Sequence, residues 1–204
     1  MPCNSSDHSG CDHIVDEGAE MSLYSQIDLN STTCLNAENE ESFNDIFKPW
    51  DDRFDTTKVL KSDADEQLIM YIPFTSSVKL KSIALLGLND DSQPRKLKVY
   101  INRQDVDFDT VEGIEPTQEF ECLQSCPQGA VPQYLTKVTT FTNIRDITIF
   151  VPGNFGADHT VISYIGFKGE YTEINRDPVI TNYEIAANPA DHKHKFEVKT
   201  KNLI

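Results

Sequence analysis

Short runs of alternating apolar and polar residues follow one another from Lys58 onward and predict an all-β domain. Turn-forming residues separate the runs, as is typical of an antiparallel β-sandwich. No helical crossover lies between them, which excludes a parallel α/β sheet. Eight strands are expected, at residues 67–72, 77–86, 96–101, 119–123, 135–141, 146–151, 161–167 and 179–186.

The parity of the apolar positions predicts which face of each strand is buried. In residues 96–101 the odd positions are aliphatic and the even positions are polar or amphipathic, so one face should pack inward while the other meets solvent. Residues 146–151 repeat this pattern. In residues 78–85 the apolar parity changes between Leu80 and Ile83, which predicts a β-bulge or a passage into two-sided burial. We therefore expect this strand to be central.

The segment before the strands predicts one short helix. Ser42 followed by Phe43, Ile46 and Phe47 has the spacing of a helical turn or two. Pro49 disfavours helical backbone at the residue before it, so the helix should end there.

The 204 residues fit one domain with tails. Residues 1–20 are polar and almost free of apolar side chains, so burial cannot repay the entropy of ordering them. We expect a disordered acidic leader at residues 1–20, a β-sandwich domain at residues 21–187 and a C-terminal tail at residues 188–204.

The charge of the chain narrows the range of its partners. Lys and Arg number 18 and Asp and Glu number 33, which gives a formal net charge of −15. Such a chain repels phosphate backbones and anionic lipids, so we expect neither nucleic acid nor a membrane as a partner. The first residues lack a signal-peptide pattern, and five cysteines without one favour a reducing compartment. We expect a cytosolic monomer that can also reach the nucleus.

Two clusters contain residue types that bind metals. The first, in the leader, consists of Cys3, His8, Cys11 and His13. The spacing of these thiols and imidazoles matches no established zinc motif. The second precedes a predicted strand, where carboxylates suit calcium but the pattern of an EF-hand is missing: Asp63, Asp65 and Glu66. The favoured interpretations are a disordered tail and a solvated turn whose Asp side chains cap backbone amides. We therefore expect no metal and no cofactor.

Catalytic residues are not expected either. Cys122 and Cys126 are four positions apart, whereas a thioredoxin-type redox pair is separated by two residues at a helix start. Cys34, beside Leu35, reads as a small core residue. His159 is the one histidine within residues 21–187, and no Gly-x-Ser-x-Gly motif supplies a nucleophile.

Trp50, the only tryptophan, follows Phe47, Lys48 and Pro49. Two interpretations stay open. It either closes one end of the sandwich as a plug, which we favour, or is exposed as an anchor for a partner.

Several segments, taken in their order along the chain, resemble the PITH domain family. The PITH domain is the proteasome-interacting, C-terminal domain of thioredoxin-like proteins. The segments are SDADEQL at 62–68, IPF at 72–74 followed by VKLK at 78–81, NFGAD at 154–158 and YIGFKGE at 164–170. FKPW at 47–50, NYE at 182–184 and ANPADH at 187–192 resemble stand-alone members of the family more narrowly.

The resemblance implies a jelly-roll β-sandwich, similar to galactose-binding-like domains, that acts as a non-enzymatic interaction module. In thioredoxin-like relatives this module links a redox domain to the regulatory particle of the 26S proteasome. No two-residue-spaced dithiol precedes the sandwich here, so disulfide reduction is not carried over.

The preferred hypothesis is an adaptor that docks on regulatory-particle subunits of the proteasome. Its candidate partner-binding residues are Trp50 and, in the tail, Asn188, Pro189, Asp191, His192 and His194. An extended tail can bind by strand addition or by ligating a partner's metal through histidine; alternatively it covers a sheet edge. Two other hypotheses remain: a small-ligand or glycan binder that uses Trp50, Asp63, Asp65 and Asn154, and an indirect regulator of gene expression acting through protein contacts.

Overall fold

The computed structural model describes residues 21–127 and 129–172. Their strands are β1 (Thr33–Leu35), β2 (Leu60–Lys61), β3 (Leu68–Leu86), β4 (Lys96–Ile101), β5 (Gln118–Glu121), β6 (Gln133–Leu135), β7 (Ile144–Val151), β8 (Val161–Ile162) and β9 (Tyr164–Thr172). The predicted helix is α1 (Ser42–Asp45), and 3₁₀ turns occur at Tyr24–Gln26 and Trp50–Asp52. In this part of the chain, no helix has the length and apolar character needed to cross a membrane.

Strand β3 takes part in both layers of an antiparallel β-sandwich. Its first half pairs with β1 on one side and β7 on the other, and β7 continues to β4 and β5. Its second half pairs with β6 and β9. The register with β7 shifts between Pro73 and Val78, where the strand passes from one layer to the other. We refer to β1, the first half of β3, β7, β4 and β5 as the first sheet, and to β6, the second half of β3 and β9 as the second sheet.

One apolar core lies between the two sheets. The first sheet supplies fully buried side chains at alternate positions, and the second sheet does the same: Met70, Ile72, Leu97, Val99, Ile147 and Ile149 from the first, and Leu80, Ile83, Leu85, Ile165 and Phe167 from the second. Helix α1 adds Phe43, whose ring meets the Phe47 ring edge-on at 5.1 Å. The predicted sandwich and its inward-facing positions are confirmed.

The outer face of the first sheet is also buried, which corrects the prediction that its even positions meet solvent. Tyr100 is 1% exposed and Phe150 is 5% exposed, because Val106 and Val111 of the β4–β5 connection pack over them. Lys98, which lies on the same outer face of β4, stays partly exposed. Strand alternation alone does not reveal a cover that comes from a loop.

Several strand bounds differ from prediction. The strands predicted at 67–72 and 77–86 form one continuous strand, β3, and the strand predicted at 161–167 is divided at Ser163. The prediction of a strand over 135–141 is wrong beyond Leu135. Phe141 is fully buried, but its amide donates to the Lys137 carbonyl within a turn. The strand predicted at 179–186 lies outside the described residues.

The side chain of Gln118 closes the seam between β5 and β6. Its Nε2 donates to the Leu135 carbonyl at 3.1 Å, and its Oε1 accepts from the Lys137 amide at 2.9 Å. The Phe120 and Tyr134 rings pack beside it with centroids 5.9 Å apart. A side-chain amide thus makes the two hydrogen bonds that a neighbouring strand would otherwise make.

The predicted bulge lies where β3 and β9 pair. The register shifts between Leu80 and Ser82, and Gly169 of β9 faces this irregularity. A Cβ on Gly169 would overlap the Lys79 carbonyl oxygen, far closer than van der Waals contact allows. On the outer face, the Tyr164 ring lies across Gly166 and leaves no room for a side chain there. The YIGFKGE segment therefore needs glycine at two positions for close packing.

We expect Gly169→Ala to destabilise the fold by about 2 kcal/mol or more, because the methyl group must displace backbone at the bulge. Urea denaturation followed by circular dichroism measures the change. Gly113→Ala is the matched control, since a Cβ there meets only an ordinary contact of 3.6 Å. Equal stabilities for the two variants would contradict this account of the bulge.

Candidate functional site

Trp50 lies on the outer face of the second sheet. It packs against Ala84 and Leu86 of β3 and against Tyr164 of β9, whose ring meets the indole nearly edge-on at 6.4 Å. It is 8% exposed. The residue thus covers a sheet face rather than one end of the sandwich, and its role in partner binding stays a prediction.

Two cations lie against the Trp50 ring. The Arg53 guanidinium is 4.3 Å from the ring centroid and the Lys168 ammonium is 4.1 Å from it. Arg53 also lies 4.6 Å from the centroid of Phe54, which is 44% exposed. Cation–π contacts of this kind hold the Trp50 indole in place. The Arg53 contact also puts a positive charge beside the exposed ring of Phe54.

A cleft of about 680 Å³ opens beside β4 and the β7–β8 connection, and we call it the end cleft. Its charged lining residues are Glu66, Arg95, Lys96, Lys98 and Glu121. Lys96 pairs with Glu119 at 3.3 Å, whereas Arg95 and Lys98 form no ion pair within residues 21–127 and 129–172. The basic and acidic side chains around the end cleft are therefore nearly balanced, although the chain has a net charge of −15.

The β7–β8 connection holds one wall of the end cleft through Asn154. Its Nδ2 donates to the carbonyl oxygens of Ala157 at 2.9 Å and His159 at 3.0 Å, and its Oδ1 accepts from the Gly156 amide. Gly156 has a φ of 136°, a conformation open to glycine. Because its amide group is fully used in the loop, Asn154 acts as a brace for the wall.

In the acidic turn at residues 63–66, the Asp65 carboxylate caps a backbone amide and a side-chain amide. The Asp65 Oδ1 accepts from the Asn36 side chain at 2.7 Å and from the Gln67 amide at 2.9 Å. Asn36 itself has a φ of 65° and accepts from the Ala64 amide. Over the described ranges no group of three His, Cys, Asp or Glu side chains has the arrangement of a metal site.

Two of the three described cysteines, Cys34 and Cys122, are unreactive by position. Burial raises the pKa of the Cys34 thiol to about 12, and burial likewise raises the pKa of the Cys122 thiol to about 12. Burial also raises the pKa of Cys126, which is less enclosed. Because the thiolate is the nucleophile, neither Cys122 in the end cleft nor Cys34 in the core is set up for covalent chemistry.

The remaining predicted residues lie outside the part of the chain that the structure describes. They are Cys3, His8, Cys11 and His13 in the leader and Asn188, Pro189, Asp191, His192 and His194 in the tail. Their roles stay predictions.

The end cleft brings Cys122 together with Arg95 and Lys98, two basic residues that sequence patterns did not single out. Arg95 and Lys98 read as ordinary charges at a strand start, and Cys122 reads as a loop thiol. Only the pairing of β4 with β5 and β7 places them in one depression. Asn154 is the one residue of the proposed glycan set that lines the end cleft.

Solved structures with a similar fold include family 32 CBM domains. The family 32 CBM from Clostridium perfringens NanJ, solved in complex with galactose, has a TM-score of 0.51 at 9% identity and covers 72% of this chain and 97% of its own. CBM32-1 and CBM32-2 of Clostridium perfringens ZmpB give a TM-score of 0.53 at 12% identity, with 82% of this chain and 41% of theirs covered. At these identities the likeness concerns the fold.

Curated relatives are much more similar in sequence. PITH domain-containing protein 1 of Homo sapiens is 45% identical over 177 residues, which cover 86% of this chain and 82% of that protein. PITH domain-containing protein 1 of Dictyostelium discoideum is 41% identical over 191 residues, with 94% and 92% covered. A model of the PITH domain matches residues 13–187.

The architecture and its structural neighbours define a galactose-binding-like β-sandwich, as expected from the sequence. Within that class, the chain belongs to the PITH domain family. The resemblance drawn from the motifs is therefore confirmed.

We expect Cys126 to react with iodoacetamide at pH 7.5 well before Cys34 and Cys122, because the two buried thiols have pKa values of about 12. Mass spectrometry of tryptic peptides over a time course measures the order. Raising the pH to 9 should increase labelling of Cys126 first, and urea-denatured chain, in which all thiols react, provides the control. Labelling of Cys122 as fast as Cys126 would contradict this assignment.

Proposed function

We propose that this chain is a protein-interaction module that associates with the regulatory particle of the 26S proteasome as an adaptor. The observation that carries the proposal is the match of the PITH domain over residues 13–187, since the resemblance to that family implies a proteasome-interacting sandwich. The relatives in Homo sapiens and Dictyostelium discoideum are covered over 82% and 92% of their lengths, so the comparison concerns nearly whole proteins.

The chemistry of the described residues supports a binding role. The thiols have raised pKa values, Asp65 caps amides, and Asn154 braces a loop. The cysteines of the chain include no pair separated by two residues, so the proposal does not include disulfide reduction. We place the adaptor in the cytosol and in the nucleus, where it would meet its proteasome partners.

Two surfaces are candidates for partner contact. One is the neighbourhood of Trp50, where Phe54 is partly exposed beside Arg53. The other is the tail at residues 188–204, with Asn188, Pro189, Asp191, His192 and His194. An extended segment with lysines and histidines can pair with a strand or ligate a partner's metal.

Glycan binding is the second candidate function. The observation that favours it is the end cleft, about 680 Å³ in volume and lined by Asn154 and Phe155, in a fold shared with a CBM solved with galactose. A glycan array decides the matter: a specific signal that Asn154→Ala abolishes supports this candidate, and a blank array removes it.

We expect deletion of residues 188–204 to abolish pull-down of regulatory-particle subunits without lowering the melting temperature. Affinity purification from cells followed by mass spectrometry, with calorimetry of the same variants, measures both effects. Deletion of residues 1–20, a segment of similar length, is the control and should keep the subunits bound.

Retained pull-down would refute the role of the tail, and a lowered melting temperature would instead show that the tail covers a sheet edge. If the full-length chain captures no regulatory-particle subunits at all, the proposed function itself is wrong.

A further inference from the structure

Lys48 carries a buried ammonium group in the loop between helix α1 and Trp50. The residue is 9% exposed. Its Nζ donates to the backbone carbonyls of Asp55 at 2.6 Å, Lys58 at 2.9 Å and Ser163 at 3.1 Å. We call these three carbonyl oxygens the carbonyl cage.

The carbonyl cage matches the chemistry of a primary ammonium group. A primary alkylammonium group has three N–H donors and no acceptor. Here each donor meets one neutral carbonyl oxygen. Three oxygens are too few for calcium, which takes six to eight. Lys48 forms no ion pair with another residue of the described ranges, so carbonyl dipoles stabilise the charge at short range.

Charged groups around the loop act on the ammonium from farther away. Asp45, Asp52 and Asp55 favour its charged form, and Lys58 opposes it. Burial is the largest influence and lowers the pKa of Lys48. Because burying a charge is costly, the contacts in the carbonyl cage must offset a desolvation penalty that an exposed lysine does not have.

The carbonyl cage joins distant parts of the chain. Asp55 and Lys58 lie in the loop that follows Trp50, whereas Ser163 lies between β8 and β9 and is 115 positions from Lys48. The Ser163 amide donates to the Leu86 carbonyl at the end of β3. The ammonium therefore fastens the Trp50 loop to the second sheet.

We propose that the carbonyl cage is a binding site for a primary alkylammonium group, filled in this chain by its own Lys48, and that a free alkylammonium ion occupies it when the side chain is shortened. The occupied site holds the loop of residues 48–58 against the β8–β9 junction. Loss of the ammonium loosens this loop, and restoring an ammonium by binding fastens it again. The proposal stands independently of proteasome association.

The test is chemical rescue of Lys48→Ala in the full-length chain. The truncation removes three methylene groups and the ammonium, and n-propylammonium replaces the same atoms. We expect the variant to melt below the unsubstituted chain. At ten times its half-saturating concentration, n-propylammonium chloride should raise the melting temperature of the variant by about 3–6 °C. Trp50 fluorescence should return toward the emission of the unsubstituted chain over the same concentrations.

Tetramethylammonium chloride at equal ionic strength separates binding from screening, because this ion has no N–H donor. Lys61→Ala is the matched control variant: Lys61 lies on β2, is more exposed than Lys48 and pairs with Glu38 at 3.1 Å. Its melting temperature and that of the unsubstituted chain should respond alike to both salts. A rise for Lys48→Ala that is no larger with n-propylammonium than with tetramethylammonium would overturn the proposal.

Two further measurements apply where Lys48→Ala does not fold. Its refolding yield should increase with n-propylammonium and not with tetramethylammonium; equal yields count against the site. Lys48→Met keeps an unbranched apolar side chain in place of the aliphatic part of lysine, without the ammonium group, and should melt lower than Lys61→Met. Equal melting temperatures for the two methionine variants would show that the carbonyl cage contributes nothing.

Discussion

Strand β3 hydrogen bonds to four other strands, and both sheets are assembled on it. Its first half organises β1 and β7, and its second half organises β6 and β9. The change of layer depends on the register shift between Pro73 and Val78 and on the bulge beside Gly169. Since side chains alternate between faces, a slip of one residue along β3 would exchange core and surface positions in both layers together.

Loops complete the sandwich by covering outer faces that the sheets leave apolar. Val106 and Val111 cover Tyr100 on the first sheet, and Trp50 covers Ala84 on the second. The second cover depends on a buried cation, because Lys48 ties its loop to the carbonyl of Ser163. Polar and charged groups thus hold the covers in place while apolar groups supply the contact area.

Local chemistry made much of the fold predictable. The alternation in β4 and the parity change within β3 follow from side-chain positions, and Asn89 and Asn102 adopt positive φ values of 58° and 51° at predicted turns. Burial of Tyr100 was not predictable, since its cover comes from a connection without a strand pattern. The end cleft and the carbonyl cage could not be predicted for a similar reason. Strand pairing forms the end cleft and backbone carbonyls form the carbonyl cage, and the sequence of side chains indicates neither.

The amide of Gln118 has a consequence for how copies of this molecule meet. The unpaired N–H and C=O groups of an exposed edge strand can pair with another chain and start aggregation. Here two polar atoms of one side chain occupy the hydrogen-bonding groups of Leu135 and Lys137. An incoming chain must first displace the Gln118 amide. One side chain therefore protects this strand edge where an additional strand would otherwise be needed.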